Sequence, residues 1–473
     1  MGTIASTGST IVRAKTGRFR RRLAMGVVGL VLLLVGGVVG VGVLLGGNDD
    51  DGGSEAVAIP EAELPELGDA VPVLASLSAD APAPDPAVLA GQLTPLLTAP
   101  GLGTGVSAQV VDVATGESLL DLDAADPATP ASTAKLLTAA AALTTLDPAE
   151  TFETTVVAGA SPGEVVLVGG GDLTLSRTAP SQTYPGAPTV ADLATQVTAA
   201  LPAGTPVTRV VVDSSLFSGP LTASGWGAGD APSSYAAPVT ATAVDGARLS
   251  PGSLARSGQP GLDAGAALAD ALGAPDAAVV LGQAPAGAQT LATVSSAPVG
   301  RLVEQMLSQS DNMLAEALAR HVALARDKEA SFAGGAQATT EALSAAGIDV
   351  TGVSLADGSG LSRENRVPAS VLTAVVTAAA DGTLGSASAL LSGLPVAGYD
   401  GTLFDRGDAE TAPGTVRAKT GTLQGVHALA GTVVTLDGRL LAFAVVADGS
   451  QSEQAAEDAL DDVAASLASC GCR

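Results

Sequence analysis

Cysteine, histidine, aromatic side chains and positive charge are all scarce in this chain of 473 residues. Its two cysteines, Cys470 and Cys472, stand in the terminal CGCR, so there is neither a disulfide framework nor a cysteine-rich zinc site; a free pair, an intermolecular link and a frayed end stay open for them. The two histidines, His321 and His427, lack the spacing of a zinc hydrolase motif and are expected to be structural. No metal and no other cofactor is therefore expected. Aromatics at 2% leave burial to Ala, Val and Leu within a composition that is 47% hydrophobic. Only 22 Lys and Arg stand against 48 Asp and Glu, a net charge of −26, so the chain repels polyanions and no nucleic-acid partner is expected.

The few cations are also segregated. Arg13, Lys15, Arg18, Arg20, Arg21 and Arg22 precede residue 23 with no acid among them. Residues 23–45 then form an uncharged apolar run of 23 residues, long enough as a helix to cross the ~30 Å hydrocarbon layer. The acidic stretch Asn48 to Asp51 follows, and the charge asymmetry predicts a basic cytoplasmic tail at 1–22 and an uncleaved transmembrane anchor at 23–45. Everything beyond is then extracytoplasmic. A cleaved signal peptide is the competing reading, but no small-residue cleavage site follows Leu45.

Residues 46–86, rich in Pro, Ala and acids, are expected to be a solvated linker. A hairpin is predicted around Thr115-Gly116, and Ser132 opens a helix that is apolar on almost every side and ends near Asp147. From 152 to 295 short strand-like runs alternate with Gly/Pro/Ser turns around one amphipathic stretch near 190–201, which reads as an inserted strand-rich module. Helical periodicity returns at Val299, breaks at Ser310-Asp311-Asn312, and resumes with Leu314, Leu318 and Val322 on one face. Three strand-like runs near the end, two joined by Asp437-Gly438, predict an antiparallel meander covered by a helix from about Ser452 to Ser469. The expected class is α+β, an antiparallel sheet flanked by helices, with one domain formed by 87–151 and 296–473 and interrupted by 152–295.

Three short motifs carry chemistry. Lys135 follows Ser132 at a spacing that places ammonium and hydroxyl on one face, and a buried lysine of lowered pKa can take the serine proton. A capping serine with a snorkelling lysine is the plainer reading of that pair alone. Ser310-Asp311-Asn312 offers a proton-relay hydroxyl and a carboxamide, or simply a helix cap. Lys419-Thr420-Gly421-Thr422 lies on a strand where lysine and threonine can hold a carboxylate, or where an edge lysine merely deters aggregation.

In the order S-x-x-K, S-x-N, K-T-G the chain resembles the penicillin-recognising serine acyl-transferases. The long interval from Ser132 to Ser310, with ASTAKLLTAAAAL, GGGDLTL, DGSGLSRENR and VRAKTGTLQGVHALAG, resembles the D-alanyl-D-alanine carboxypeptidase/endopeptidase family of low-molecular-mass penicillin-binding proteins (DacB type, peptidase family S13) over about residues 90–468. That resemblance implies a penicillin-binding-protein/β-lactamase-like transpeptidase fold, peptidoglycan stem peptides as substrate and covalent binding of β-lactam antibiotics. It implies Ser132 as nucleophile, Lys135 as base and Ser310 as proton relay, with Asn312 orienting the substrate. Lys419, Thr420, Gly421 and Thr422 would engage its carboxylate end, and the N–H groups of Ser132 and Thr422 would form the oxyanion hole. The middle motif reads SDN where SNN is frequent in the family, a tolerated change if Asp311 does not face substrate. Asp357 and Arg363 form either an ion pair beside the cleft or part of a glycine-supported surface turn. A membrane-tethered β-lactamase and a non-catalytic wall-binding scaffold are the alternatives; no E-x-x-L-N segment lies between Asn312 and Lys419 to serve the first, and the intact serine and lysines count against the second.

Overall fold

The computed structural model describes residues 80–406 and 414–471. The basic tail, the anchor expected at 23–45 and most of the expected linker lie outside them. Among the described residues no single helix is long and apolar enough to cross a membrane.

The first of two five-stranded sheets has the order β10 (Val416–Leu423), β11 (Val426–Val434), β12 (Leu440–Asp448), β1 (Gly105–Asp112), β2 (Ser118–Leu122), antiparallel throughout. Alternation along β12 shows why it is buried on both faces. Leu441, Phe443, Val445 and Ala447 join one apolar cluster, and Ala442, Ala444 and Val446 join another. Helices α1 (Pro86–Leu97) and α10 (Glu453–Ala468) supply the first cluster and α8 (Ala369–Ala380) the second, giving helix, sheet and helix layers. The expected meander and terminal helix are both present, the helix capped by the Ser452 side chain.

Below α8 lies a group of helices, most of them rich in alanine. At their centre is α2 (Lys135–Thr145), buried from Lys135 to Leu143 and packed against α5 (Val299–Ser308), α6 (Asn312–Ala325) and α7 (Phe332–Ala345). Small side chains let these axes approach closely, so aliphatic contact replaces the missing aromatics.

The second sheet lies entirely within 153–295. Its order is β7 (Ala278–Leu281), β6 (Arg209–Asp213), β5 (Glu164–Val168), β4 (Glu153–Ala158), β8 (Thr290–Ser295), with β5, β6 and β7 parallel. Parallel neighbours need crossovers, and α3 (Val190–Ala200) and α4 (Pro260–Ala271) supply them. The reading of this region as strands with one amphipathic helix is thus too simple. Helix α4 escaped because Pro260, Gly261 and Gly265 dilute its helical signal.

Candidate active site

Ser132 does not begin an α-helix, as expected, but sits half-buried on a 3₁₀ turn, Ala131–Ala134, that leads into α2. Three residues per turn eclipse positions i and i+3, which stacks Lys135 over Ser132 more directly than an α-turn would. The Lys135 Nζ lies 3.0 Å from Ser132 Oγ. Ala131, just before the nucleophile, has φ +46°, a left-handed conformation that costs a non-glycine residue on the order of 1 kcal/mol.

Lys135 is fully buried and has two further acceptors, Asn312 Oδ1 at 2.6 Å and the Ser359 carbonyl at 2.7 Å. Burial lowers its pKa to about 8 against the opposing charges of Asp357, Asp311 and Glu316. An ammonium offers three hydrogens to these three oxygens. A neutral amine has two, and neither the Asn312 carboxamide oxygen nor the peptide carbonyl can donate. Only Ser132 can reverse its hydrogen bond, so on losing a proton Lys135 turns its lone pair to the serine hydroxyl.

Ser310 occupies the junction between α5 and α6 at φ +53°. The Asp311 N–H donates to the Met306 carbonyl and the Ser310 N–H to that of Leu307, a helix-terminating pattern whose left-handed position is usually glycine. Its side chain is retained at a cost, and its hydroxyl makes no hydrogen bond among the described residues. Asp311 faces away from Lys135's oxygens. It caps α6 through the Met313 and Leu314 N–H groups, accepts from the Tyr184 hydroxyl at 2.8 Å and pairs with Arg248 and Arg256. Burial works to raise its pKa, but the two guanidinium groups outweigh it and hold it at about 2. Asn312 has both ends of its carboxamide engaged, Oδ1 by Lys135 and Nδ2 by the Tyr235 carbonyl. It is placed as a support of the base, where substrate orientation was expected.

Lys419, Thr420 and Gly421 are buried on β10, and Thr422 is exposed at its end. Gly421 is needed for close approach, because a Cβ there would lie 2.8 Å from the Pro130 carbonyl oxygen beside the nucleophile turn. The Lys419 Nζ donates to the Thr420 carbonyl at 3.0 Å; burial and the Lys135 charge hold its pKa well below the ordinary lysine value. No carboxylate pairs with it among the described residues. Strand β10 is the sheet's edge, and the segment around Val396 pairs with its first half: the Ala397 N–H donates to Val416, and the Ala418 N–H donates to Pro395. The half bearing Lys419 to Thr422 is left uncovered by any strand.

The Asp357–Arg363 ion pair does not form. Asp357 is fully buried and gathers a loop around itself, accepting from the Gly360 and Ser362 N–H groups, Asn365 Nδ2 and Trp226 Nε1, while exposed Arg363 donates to the Gln424 carbonyl. Nor is this a surface turn: it is the wall that presents the Ser359 carbonyl to Lys135. Glycine is required at 360, where φ is +82° and a Cβ would meet the Ala131 oxygen at 1.9 Å.

Glu316 was missed by sequence reasoning. Buried on α6, it accepts from the Gly358 and Ser359 N–H groups and pairs with Arg320, whose guanidinium lies over the Phe332 ring. Burial, then the Asp357 charge, pushes its pKa up to about 7. The signal available was the i, i+4, i+8 spacing of Asn312, Glu316 and Arg320. His321 stacks on Phe152 and His427 bonds Ser450, so neither joins the site.

The sequence pattern of the D-Ala-D-Ala carboxypeptidase 3 (S13) family matches residues 89–255 and 247–469. The chain is 42% identical to carboxypeptidase DacB of Mycolicibacterium smegmatis, over 96% of this chain and 99% of that one. It is 41% identical to a carboxypeptidase of Mycobacterium tuberculosis over 88% of each. Penicillin-binding protein 4 of Haemophilus influenzae superposes with a TM-score of 0.64 at 25% identity, covering 80% of this chain and 98% of that one. With a family match that runs almost the whole length of the described residues and relatives at 41–42% identity over most of the chain, the chain belongs to the D-Ala-D-Ala carboxypeptidase 3 (S13) family.

Proposed function

We infer that this protein is a serine D,D-peptidase that cleaves the terminal D-Ala-D-Ala bond of peptidoglycan stem peptides through an acyl-enzyme on Ser132. The observation that carries this is the three-acceptor setting of Lys135, which leaves Ser132 as the one group able to return a proton to the neutral amine. Ser132 Oγ attacks the carbonyl between the two D-alanines as its proton passes to Lys135 Nζ. The tetrahedral oxyanion is held by the N–H groups of Ser132 and Thr422. The proton then goes from Lys135, through the unbonded Ser310 hydroxyl, to the leaving amine of D-alanine, and water hydrolyses the acyl-enzyme by the same relay.

The uncovered half of β10 suits a substrate backbone added at the sheet edge. Lys419, buried without a carboxylate partner, favours an anion nearby, which a terminal carboxylate supplies with Thr420 and Thr422. β-Lactams carry the same carboxylate beside a reactive amide and would acylate Ser132; the Haemophilus influenzae relative has been solved with a β-lactam bound. The basic tail followed by the apolar run at 23–45 supports a single-pass membrane protein with its catalytic domain outside the cytoplasm.

Labelling of wild-type and Ser132→Ala protein with a fluorescent penicillin, with the adduct's decay timed by intact mass, tests the reading. A long-lived adduct that requires Ser132 is expected. Rapid loss of the adduct would point to a β-lactamase, and D,D-peptide release undiminished in Ser132→Ala would overturn the assignment.

A further inference from the structure

Thr420 is held by a residue that no sequence motif singled out. Its Oγ1 lies 2.9 Å from the Oγ1 of Thr402, on a loop that rises over the edge of β10. That loop is rigidly built. The Ala397 N–H donates to Val416 and the Ala418 N–H to Pro395, fastening its base to the strand. The Asp400 carboxylate accepts from the Val396 N–H at 2.7 Å, the Gly398 N–H donates to the Leu403 carbonyl, and the Leu403 side chain is buried beneath. Gly401, at φ +56°, passes so close to the end of α5 that a Cβ would meet the Ser308 carbonyl oxygen at 2.5 Å. Thr402 is thereby fixed between the helix leading to Ser310 and the K-T-G strand.

We propose that Thr402 is a positioning residue that turns the Thr420 hydroxyl toward a terminal carboxylate, and so biases the site toward peptides that end in a free carboxylate over those that end in an uncharged amide. This rests on the peptidase reading above. A hydroxyl has one hydrogen and two lone pairs, whereas a carboxylate only accepts. When Thr420 donates to the carboxylate it has nothing left to give Thr402, so Thr402 must donate to Thr420. A donor already in place removes the choice and polarises the Thr420 O–H, strengthening the bond to the anion. A C-terminal amide at the same place carries no charge and gains less from that ordering.

The test compares a peptide ending in D-Ala-D-Ala with the same peptide as its C-terminal amide, for the full-length wild type and for Thr402→Val, Thr402→Ser, Thr420→Val and the double valine variant. Wild type is expected to prefer the carboxylate. In Thr402→Val the preference should fall by about tenfold, carried by KM of the acid, as expected when a hydrogen bond to a charged group loses its support. Thr402→Ser should retain the preference, and the double variant should discriminate no worse than Thr420→Val alone. Equal losses on both substrates, or additive effects in the double variant, would overturn the proposal while leaving the peptidase reading intact. Absence of Ser132-dependent turnover in the wild type would remove both.

Discussion

Helices α2 and α6 pack against each other beneath the cleft and are buried along most of their length, yet they are composed oppositely. Helix α2 is Ala, Leu and Thr with one charge, Lys135. Helix α6 buries Asn312, Glu316, Arg320 and His321 along with its apolar residues. In the first a single ammonium is buried against three uncharged oxygens, with no carboxylate paired to it among the described residues, and its pKa falls; in the second charges are buried in mutual contact and with backbone N–H groups to hold. The difference teaches that the base is set by isolation and its frame by pairing.

Replacing the isolated charge should have the largest effect on chemistry. Lys135→Met should slow penicillin acylation by about 10³-fold or more, the upper range for loss of a general base, with only a small change in thermal stability, because relief of the ammonium's desolvation offsets the loss of a donor to Asn312 and the Ser359 carbonyl. A matching fall in stability would break the contrast. Removing a paired charge should do the reverse: Glu316→Ala strands Arg320 and two buried N–H groups, and should cost about 3–5 kcal/mol in denaturant unfolding.

The two helices also divide the response to pH. Acylation should rise with pH and level off above about 8, as Lys135 becomes neutral. Glu316 titrates near 7 when folded and near 4.5 when unfolded, so its contribution to stability is full below 4.5 and lost as pH rises toward 7. His321, lowered by burial to about 4, acts over nearly the same range with the opposite sign: stability falls as pH drops from 6.5 toward 4. Unfolding free energies across these ranges for Glu316→Gln and His321→Gln should each lose their own slope and keep the other. The smallest effect belongs to Arg301→Ala, which breaks the exposed Arg301–Glu304 pair on α5 and should change stability by less than about 0.5 kcal/mol.

The same contrast explains what was legible in the sequence. Lys135 stood out as the one charge on an otherwise uncharged helix, and Ser132, Ser310, Asn312 and Lys419 stood out because they form a recognised order. The sheet and its covering helices followed from alternation and from the i, i+3, i+4 stripes. Helix α6 hid its buried charges, because Leu314, Leu318 and Val322 imply a dry face and leave the opposite one to water. That opposite face meets the Asp357 loop, supplied by a segment some 40 residues further along. Thr402 hid for a similar reason, since its partner on β10 is 18 residues away in the chain, at no helical or strand spacing. The nucleophile's 3₁₀ turn was missed because the residues that force it, Gly360 and Gly421, are distant in the chain.

The edge of β10 has a consequence for the protein as a solute. A bare strand edge is a template for another copy of the same chain, and sheets with long flat edges aggregate. Here the segment 395–397 seals the first half, and what stays open is a few residues ending at Thr422. So short an opening has room for the end of a peptide but gives the edge of a second sheet too little length to pair along.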